Sequence, residues 1–216
     1  VYAMEVYPSF DPNNSSGERN ADIFSNPLVE NVYEMGSVIK TLTLSAGIDA
    51  GVVNANTTYY DAGYLMINNK KVSNFDGKER GVVNMQDMLS QSLNVGAAFV
   101  QQKLGNTQFS KYMNSFGLAD KTGIELPNEA KNLANSINSK NDIDLASVSF
   151  GQSLALTPIS TISAISVIAN GGTRVQPHVV KSVKYKVGLS KDTEISLGQR
   201  VLKRETTEEV TRMMVY

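Results

Sequence analysis

The hydrophobic and polar positions fall into blocks with either a two-residue or a three-to-four-residue period, and these blocks predict the elements. Val1-Tyr2-Ala3-Met4-Glu5-Val6-Tyr7 carries β-branched and aromatic residues typical of a strand and is closed by Pro8. A turn-rich polar loop follows, Asp11-Pro12-Asn13-Asn14-Ser15-Ser16-Gly17. From Gly36 the period becomes helical, with Ile39, Leu42, Thr43 and Ala46 on one face and Gly47 or Gly51 as the stop. Tyr59 to Val72 predicts a hairpin turning at Asn68-Asn69-Lys70. Asn84 is placed to cap a short helix that turns Met85, Met88 and Leu89 inward. A break at Ser92-Leu93-Asn94 then leads into a helix from Val95 to Leu104, stopped by Gly105.

Asn106 or Thr107 opens another helix with Phe109, Tyr112, Met113 and Phe116 as its apolar stripe and Gly117 at its end. Thr157-Pro158 pairs a capping residue with proline at the first helical position, and that helix runs to Gly171-Gly172. Val179 to Val187 alternates like a strand, and Thr206-Thr207-Glu208-Glu209 predicts a capping box for a last helix. No internal repeat or low-complexity tract interrupts the pattern, so residues 1–216 are expected to form one domain. The chain opens inside a strand-like run without an initiating Met and stops inside a helical one, so both ends are expected to lie within a longer protein.

Composition narrows the chemistry. The 216 residues are 41% hydrophobic and 19% charged, enough apolar material for a sizeable core. The net charge of −1 comes from scattered rather than clustered Lys and Arg, which argues against a nucleic-acid partner. Cysteine is absent, which excludes disulfides, thiolate metal sites and a cysteine nucleophile; the single histidine, His178, follows a proline and is expected at the surface. The longest apolar stretch, Leu154 to Ala169, is broken by Thr157, Pro158, Ser160, Thr161, Ser163 and Ser166, and predicts a buried helix rather than a membrane span.

Against that background Ser37-Val38-Ile39-Lys40 stands out. Residues three apart on a helix share a face, so the Lys40 amine can reach the Ser37 hydroxyl. A serine hydroxyl needs such a base to become a nucleophile, and a lysine can serve if burial lowers its pKa. Ser37 in the first turn would also benefit from the helix dipole and free N–H groups, and Gly36 removes bulk where a substrate must approach. The string alone is common in helices. Ser92-Leu93-Asn94 likewise has an ordinary reading, local capping at a helix break, beside a functional one: a relay hydroxyl and an amide for a substrate carbonyl.

Order and context distinguish these readings. Ala3-Met4 with Pro8-Ser9-Phe10-Asp11-Pro12-Asn13, then Arg19-Asn20, then Tyr33-Glu34-Met35-Gly36-Ser37 resembles the approach to the active serine of class B high-molecular-weight penicillin-binding proteins. Thr122-Gly123-Ile124-Glu125-Leu126-Pro127-Asn128-Glu129-Ala130 is similar to a segment after their second motif. Ser149-Phe150-Gly151-Gln152, Leu154-Ala155-Leu156-Thr157-Pro158 and Ala169-Asn170-Gly171-Gly172 resemble a further characteristic block. The resemblance implies an α/β (α+β) fold, an antiparallel sheet flanked by helices. It implies a D,D-transpeptidase in which Ser37 is the nucleophile, Lys40 the base and Ser92 the proton relay. Asn94 would bind the substrate carbonyl and help order Lys40, and the Ser37 N–H would supply half of an oxyanion hole.

The implied partners are peptidoglycan stem peptides, β-lactams and a glycosyltransferase of the cell-wall machinery. Neither cofactor nor metal is implied. The setting would be the extracytoplasmic face of the bacterial membrane, reached through an N-terminal anchor outside this chain. A D,D-carboxypeptidase or β-lactamase on the same fold, and a non-catalytic β-lactam sensor, are the alternatives.

Departures are few. Met35 stands where proline is usual, and Val38-Ile39 replace Thr and Phe. Lys121-Thr122-Gly123 spells the family's third motif but opens the Ile-Glu-Leu-Pro segment and is not expected to serve as it. The genuine motif is expected beyond Tyr216, so the chain is expected to lack it and the C-terminal strands, and to react more slowly with a penicillin than a longer form. Glu129 is not expected to act as a hydrolytic base.

Overall fold

The computed structural model describes residues 1–11, 13–14, 21–193 and 198–215. Pro12, Ser15-Ser16-Gly17, Arg19-Asn20 and Tyr216, to which the sequence assigned a loop, a family-like approach and a chain end, lie outside the described residues.

Everything is arranged around α2 (Val38–Asp49), which follows a single turn, α1 (Pro27–Glu30). From Ile39 to Gly47 every residue of α2 is buried, so this is a helix without a solvent face. Ile39, Leu42 and Ala46 enter one apolar cluster with Phe109, Met113, Phe116, Leu145, Val167 and Val210. Leu44 enters a second with Met85, Met88, Leu93, Val95 and Val100. A polar side chain in such a helix must find its partner inside the protein. Thr43 donates to the Ser149 carbonyl at 2.8 Å and Ser45 to the Thr41 carbonyl at 2.7 Å.

β1 (Thr58–Asp61), β2 (Tyr64–Ile67), β3 (Lys70–Ser73) and β4 (Gly81–Asn84) form two separate antiparallel pairs, β1 with β4 and β2 with β3. The predicted hairpin is thus shorter than expected. Asn68 and Asn69, at φ 48° and 63°, make the two-residue left-handed turn, while Tyr59 belongs to β1 and pairs with Val83 of β4. Paired Asn residues suit this turn because they tolerate positive φ.

α3 (Met85–Ser90) starts at the predicted cap: Asn84 accepts from Asp87 N–H and the Asp87 carboxylate returns the bond. α4 (Asn94–Leu104) and α5 (Asn106–Ser115) follow as expected. The sequence reading missed α6 (Asp142–Ser149), although Asn141 caps it and Asp142 and Asp144 sit in its first turn. α7 (Pro158–Ala169) resolves the long apolar stretch, with Thr157 capping Ser160 N–H. Among the described residues no helix is long and apolar enough to cross a membrane.

Three expectations are corrected. Val1–Tyr7 forms no ladder among the described residues; the Val1 backbone nitrogen lies 2.8 Å from the His178 carbonyl oxygen. Of Val179–Val187 only β5 (Ser182–Lys184) pairs, with β6 (Ser190–Asp192). The last helix, α8 (Arg204–Val215), begins before the supposed capping box. Thr206 and Thr207 are buried inside it, and the Thr206 hydroxyl donates to Asp49 Oδ1 at 2.9 Å instead of capping. The mixed α/β class holds, with its sheet confined among the described residues to these three two-stranded pairs.

Candidate active site

The approach to Ser37 is held by the segment after α6. Tyr33 and Leu156 exchange two backbone hydrogen bonds of 2.9 Å, and Gly36 N–H donates to the Gly151 carbonyl at 3.3 Å. Gly151 has φ +84°, and a Cβ there would lie 1.9 Å from the Gly36 carbonyl oxygen. Only glycine permits that approach. Gly36 itself has φ +54° and open space where a Cβ would stand. Ser37 then leads into α2 in a helical conformation, and its hydroxyl makes no capping bond.

That hydroxyl belongs to a triangle instead. Lys40 Nζ lies 3.0 Å from Ser37 Oγ and 2.8 Å from Ser92 Oγ, and the two hydroxyl oxygens are 2.8 Å apart. Lys40 Nζ also donates to the Ser92 carbonyl at 2.6 Å. Lys40 is only 2% exposed, whereas Ser37 is exposed. Among the described residues no carboxylate is a hydrogen-bond partner of the amine, and burial lowers its pKa to about 8.

A neutral lysine amine keeps two N–H donors and one lone pair. With the donors on the Ser92 carbonyl and hydroxyl, the lone pair faces the Ser37 proton, and the Ser92 hydroxyl can donate to the Ser37 oxygen as that proton leaves. The arrangement can therefore deprotonate Ser37 and stabilise the resulting oxygen. The Ser37 N–H finds no acceptor among the described residues, which leaves it available to a developing oxyanion.

Ser92 is delivered by the end of α3. Leu93 N–H donates to the Met88 carbonyl at 2.9 Å and Ser92 N–H to the Leu89 carbonyl at 3.2 Å, the double closure of a Schellman motif. The position that closes such a motif is left-handed and favours glycine; here it is Ser92, at φ 56°. Leu93 and Met88 pack in one cluster, the hydrophobic contact that accompanies the motif. The ordinary reading of this segment, a helix break with local bonds, holds, and the same turn sets the Ser92 hydroxyl against Ser37 and Lys40.

Asn94 starts α4 and donates from Nδ2 to the Ser73 carbonyl at 2.8 Å. It was expected to help order Lys40, and it makes no bond to that amine; the Ser92 carbonyl and hydroxyl do so, because the left-handed turn carries them over the ammonium. The structure thus brings Gly36, Ser37, Lys40 and Ser92 together, with Asn94 two positions after Ser92 and tied to β3. Sequence reasoning missed Ser73, Asn74 and Asp61, which hold that tie. They resemble ordinary turn residues, and nothing in their spacing marks them.

The decoys stay apart from the site. Thr122 N–H and hydroxyl and Gly123 N–H all donate to the Glu129 carboxylate, at 2.6, 2.7 and 3.0 Å. Lys121-Thr122-Gly123 is therefore a loop wrapped on a buried carboxylate rather than a strand, and both oxygens of Glu129 are engaged. His178 is half-buried, and its carbonyl oxygen accepts from the Val1 backbone nitrogen.

Comparison with known proteins gives the family. Residues 1–216 match the family described as penicillin-binding protein transpeptidase domain. Stage V sporulation protein D of Bacillus subtilis is 27% identical over 214 residues, covering 97% of this chain and 33% of that protein. The probable peptidoglycan D,D-transpeptidase FtsI of Caulobacter vibrioides is 29% identical over 220 residues, covering 99% and 34%. The crystal structure of penicillin-binding protein 3 from Mycobacterium tuberculosis complexed with aztreonam superposes with a TM-score of 0.82 at 27% identity, covering 88% of this chain and 42% of that one. The chain spans about a third of the length of these curated relatives. By the match of its whole length and by its fold, the chain belongs to the penicillin-binding protein transpeptidase domains, in their class B branch.

Proposed function

We propose that the chain carries the nucleophile and the proton-transfer groups of a serine D,D-transpeptidase. Ser37 Oγ attacks the carbonyl of the penultimate D-alanine of a peptidoglycan stem peptide, and its proton passes to Lys40. The tetrahedral oxyanion is met by the Ser37 N–H. As the C–N bond breaks, the Ser92 hydroxyl hands a proton to the departing terminal D-alanine and regains one from Lys40. An amine from a neighbouring stem then attacks the acyl-enzyme, forms the cross-link and releases Ser37. Asn94, with one amide proton not used by Ser73, holds the substrate's peptide carbonyl. A β-lactam enters the first half of this cycle and stops as an acyl-enzyme.

The observation that carries the reading is a buried amine with no anionic partner among the described residues, 3.0 Å from an exposed serine hydroxyl. At pH 7 a pKa of about 8 leaves roughly a tenth of such an amine neutral, a workable population for a general base. The names of relatives support the substrate class, among them the peptidoglycan D,D-transpeptidase MrdA of Acinetobacter baumannii. A neighbour's complex with ampicillin supports β-lactam binding. This activity places the protein in the bacterial cell envelope, with its site on the extracytoplasmic face of the membrane beside a glycosyltransferase.

The test is covalent labelling of the full-length protein with a fluorescent penicillin. Wild type forms a stable adduct whose mass maps to Ser37, and Ser37→Ala forms none. An adduct that persists in Ser37→Ala, or a wild type that never labels, overturns the reading.

A further inference from the structure

The N-terminus of α4 lacks a cap of its own. Its N-cap residue is Leu93, which has no side chain able to accept, so a buried backbone donor at Val95 would be orphaned. The acceptor comes from elsewhere in the chain: Asn74 Oδ1 lies 3.1 Å from Val95 N. Immediately before it, the Ser73 carbonyl receives the Asn94 amide at 2.8 Å. Two consecutive residues at the end of β3 thereby clamp two consecutive residues at the start of α4, directly after the left-handed Ser92.

Which way the Asn74 amide faces is decided by Asp61. Asn74 Nδ2 lies 2.9 and 2.8 Å from the two oxygens of the Asp61 carboxylate, so Oδ1 is forced toward Val95. Asp61 has no exposed surface, and it is held in turn by Gly63 N–H at 2.7 Å and by the Tyr59 hydroxyl at 3.4 Å. The Tyr59 hydroxyl also sits on the first turn of α4, where a Cβ at Gly96 would come within 2.5 Å of it. A carboxylate buried away from water is an expensive way to cap one helix, and neutral side chains cap as well. What the carboxylate adds is a fixed orientation for the amide, and through it a fixed position for the first turn of α4.

We propose that Asp61 and Asn74 are positioning residues of the acylation site: together they hold Asn94 and Ser92 in register with Lys40 and Ser37. The claim rests on the Ser37 reading above and assigns these two residues no contact with substrate. An asparagine facing an aspartate is directional, and the direction can be reversed. Exchanging the two residues leaves an amide donating to a carboxylate and a carboxylate oxygen facing Val95 N–H. A single Asn74→Asp change sets two carboxylates against each other.

The experiment measures penicillin acylation of the full-length protein, separating the acylation rate constant from the affinity of the initial complex, alongside thermal unfolding. Asn74→Asp is expected to lower the acylation rate constant by at least tenfold. The double variant Asp61→Asn/Asn74→Asp is expected to return it to within about threefold of wild type. A folded Asn74→Ala or Asn74→Asp that acylates at the wild-type rate overturns the proposal while leaving the Ser37 reading intact. So does a well-folded double variant as slow as the single one. If Asn74→Asp fails to fold, the double variant and Asn74→Ala still decide. A wild type that never acylates overturns both claims.

Discussion

The Ser92 carbonyl oxygen lies 2.6 Å from the Lys40 amine, nearer than the Ser37 hydroxyl at 3.0 Å. A carbonyl can only accept, so it restrains the amine in both charge states and leaves a neutral lone pair no better target than Ser37. The residue that presents this carbonyl is also the one that donates its hydroxyl to Ser37. One left-handed residue thus holds Lys40 from its backbone and Ser37 from its side chain.

Acylation should depend on pH through Lys40. Burial lowers its pKa to about 8, so the neutral form grows tenfold per pH unit below that value and saturates above it. The acylation rate constant is expected to rise with unit slope from pH 6 and level off near pH 8. Lys40→Arg, which cannot lose its proton in this range, should be unreactive at every pH. A flat wild-type profile across pH 6 to 9 would contradict the assignment of Lys40 as the base.

Ser92→Gly separates function from stability. The left-handed closure of the Schellman motif favours glycine over serine by about 1 kcal/mol. The variant should therefore melt no lower than wild type while its acylation rate falls by at least a hundredfold, the range of a lost proton-transfer group. A drop of many degrees in Tm would show that the turn does not carry the strain assigned to it.

Gly151→Ala tests the support beneath Ser37. A methyl group would meet the Gly36 carbonyl at 1.9 Å, on a backbone whose φ of +84° already disfavours it. The change should cost at least ~2 kcal/mol and slow acylation even in the folded fraction, because relief of the clash moves the residue before Ser37. Wild-type kinetics in a stable variant would disconnect the two segments.

Asp49 provides the contrast of a buried carboxylate with a purely structural task. At the end of α2 it accepts from the Tyr112 hydroxyl at 2.7 Å, Lys203 N–H at 2.7 Å and the Thr206 hydroxyl at 2.9 Å, joining α2 to α5 and α8. Asp49→Ala strands these donors and should destabilise the protein by about 3 kcal/mol, with acylation of the folded fraction little changed. Chemical denaturation and labelling on the same sample report both quantities.

The sequence made the helices legible wherever a cap, a period and a stop agreed, as at Asn84 before Met85, Thr157 before Pro158 and the Ser37–Lys40 pair in a first turn. It failed where the deciding partner is distant. Thr206 looks like a cap because its neighbours in sequence are Thr and Glu, and it is instead a donor to Asp49, 157 positions away. Val1–Tyr7 looks like a strand because its side chains suit one, but a strand needs a ladder, which no local pattern can supply.

The chain alone determined that an amine and a hydroxyl stand one turn apart, because helix geometry sets what residues 37 and 40 can do whatever surrounds them. Only the tertiary fold decided that the amine is buried, and that Ser92, 52 positions on, closes over it. Desolvation and a left-handed turn held by packing depend on how separated segments come together. The chemistry of Lys40 therefore rests on its surroundings, and its identity only makes that chemistry available.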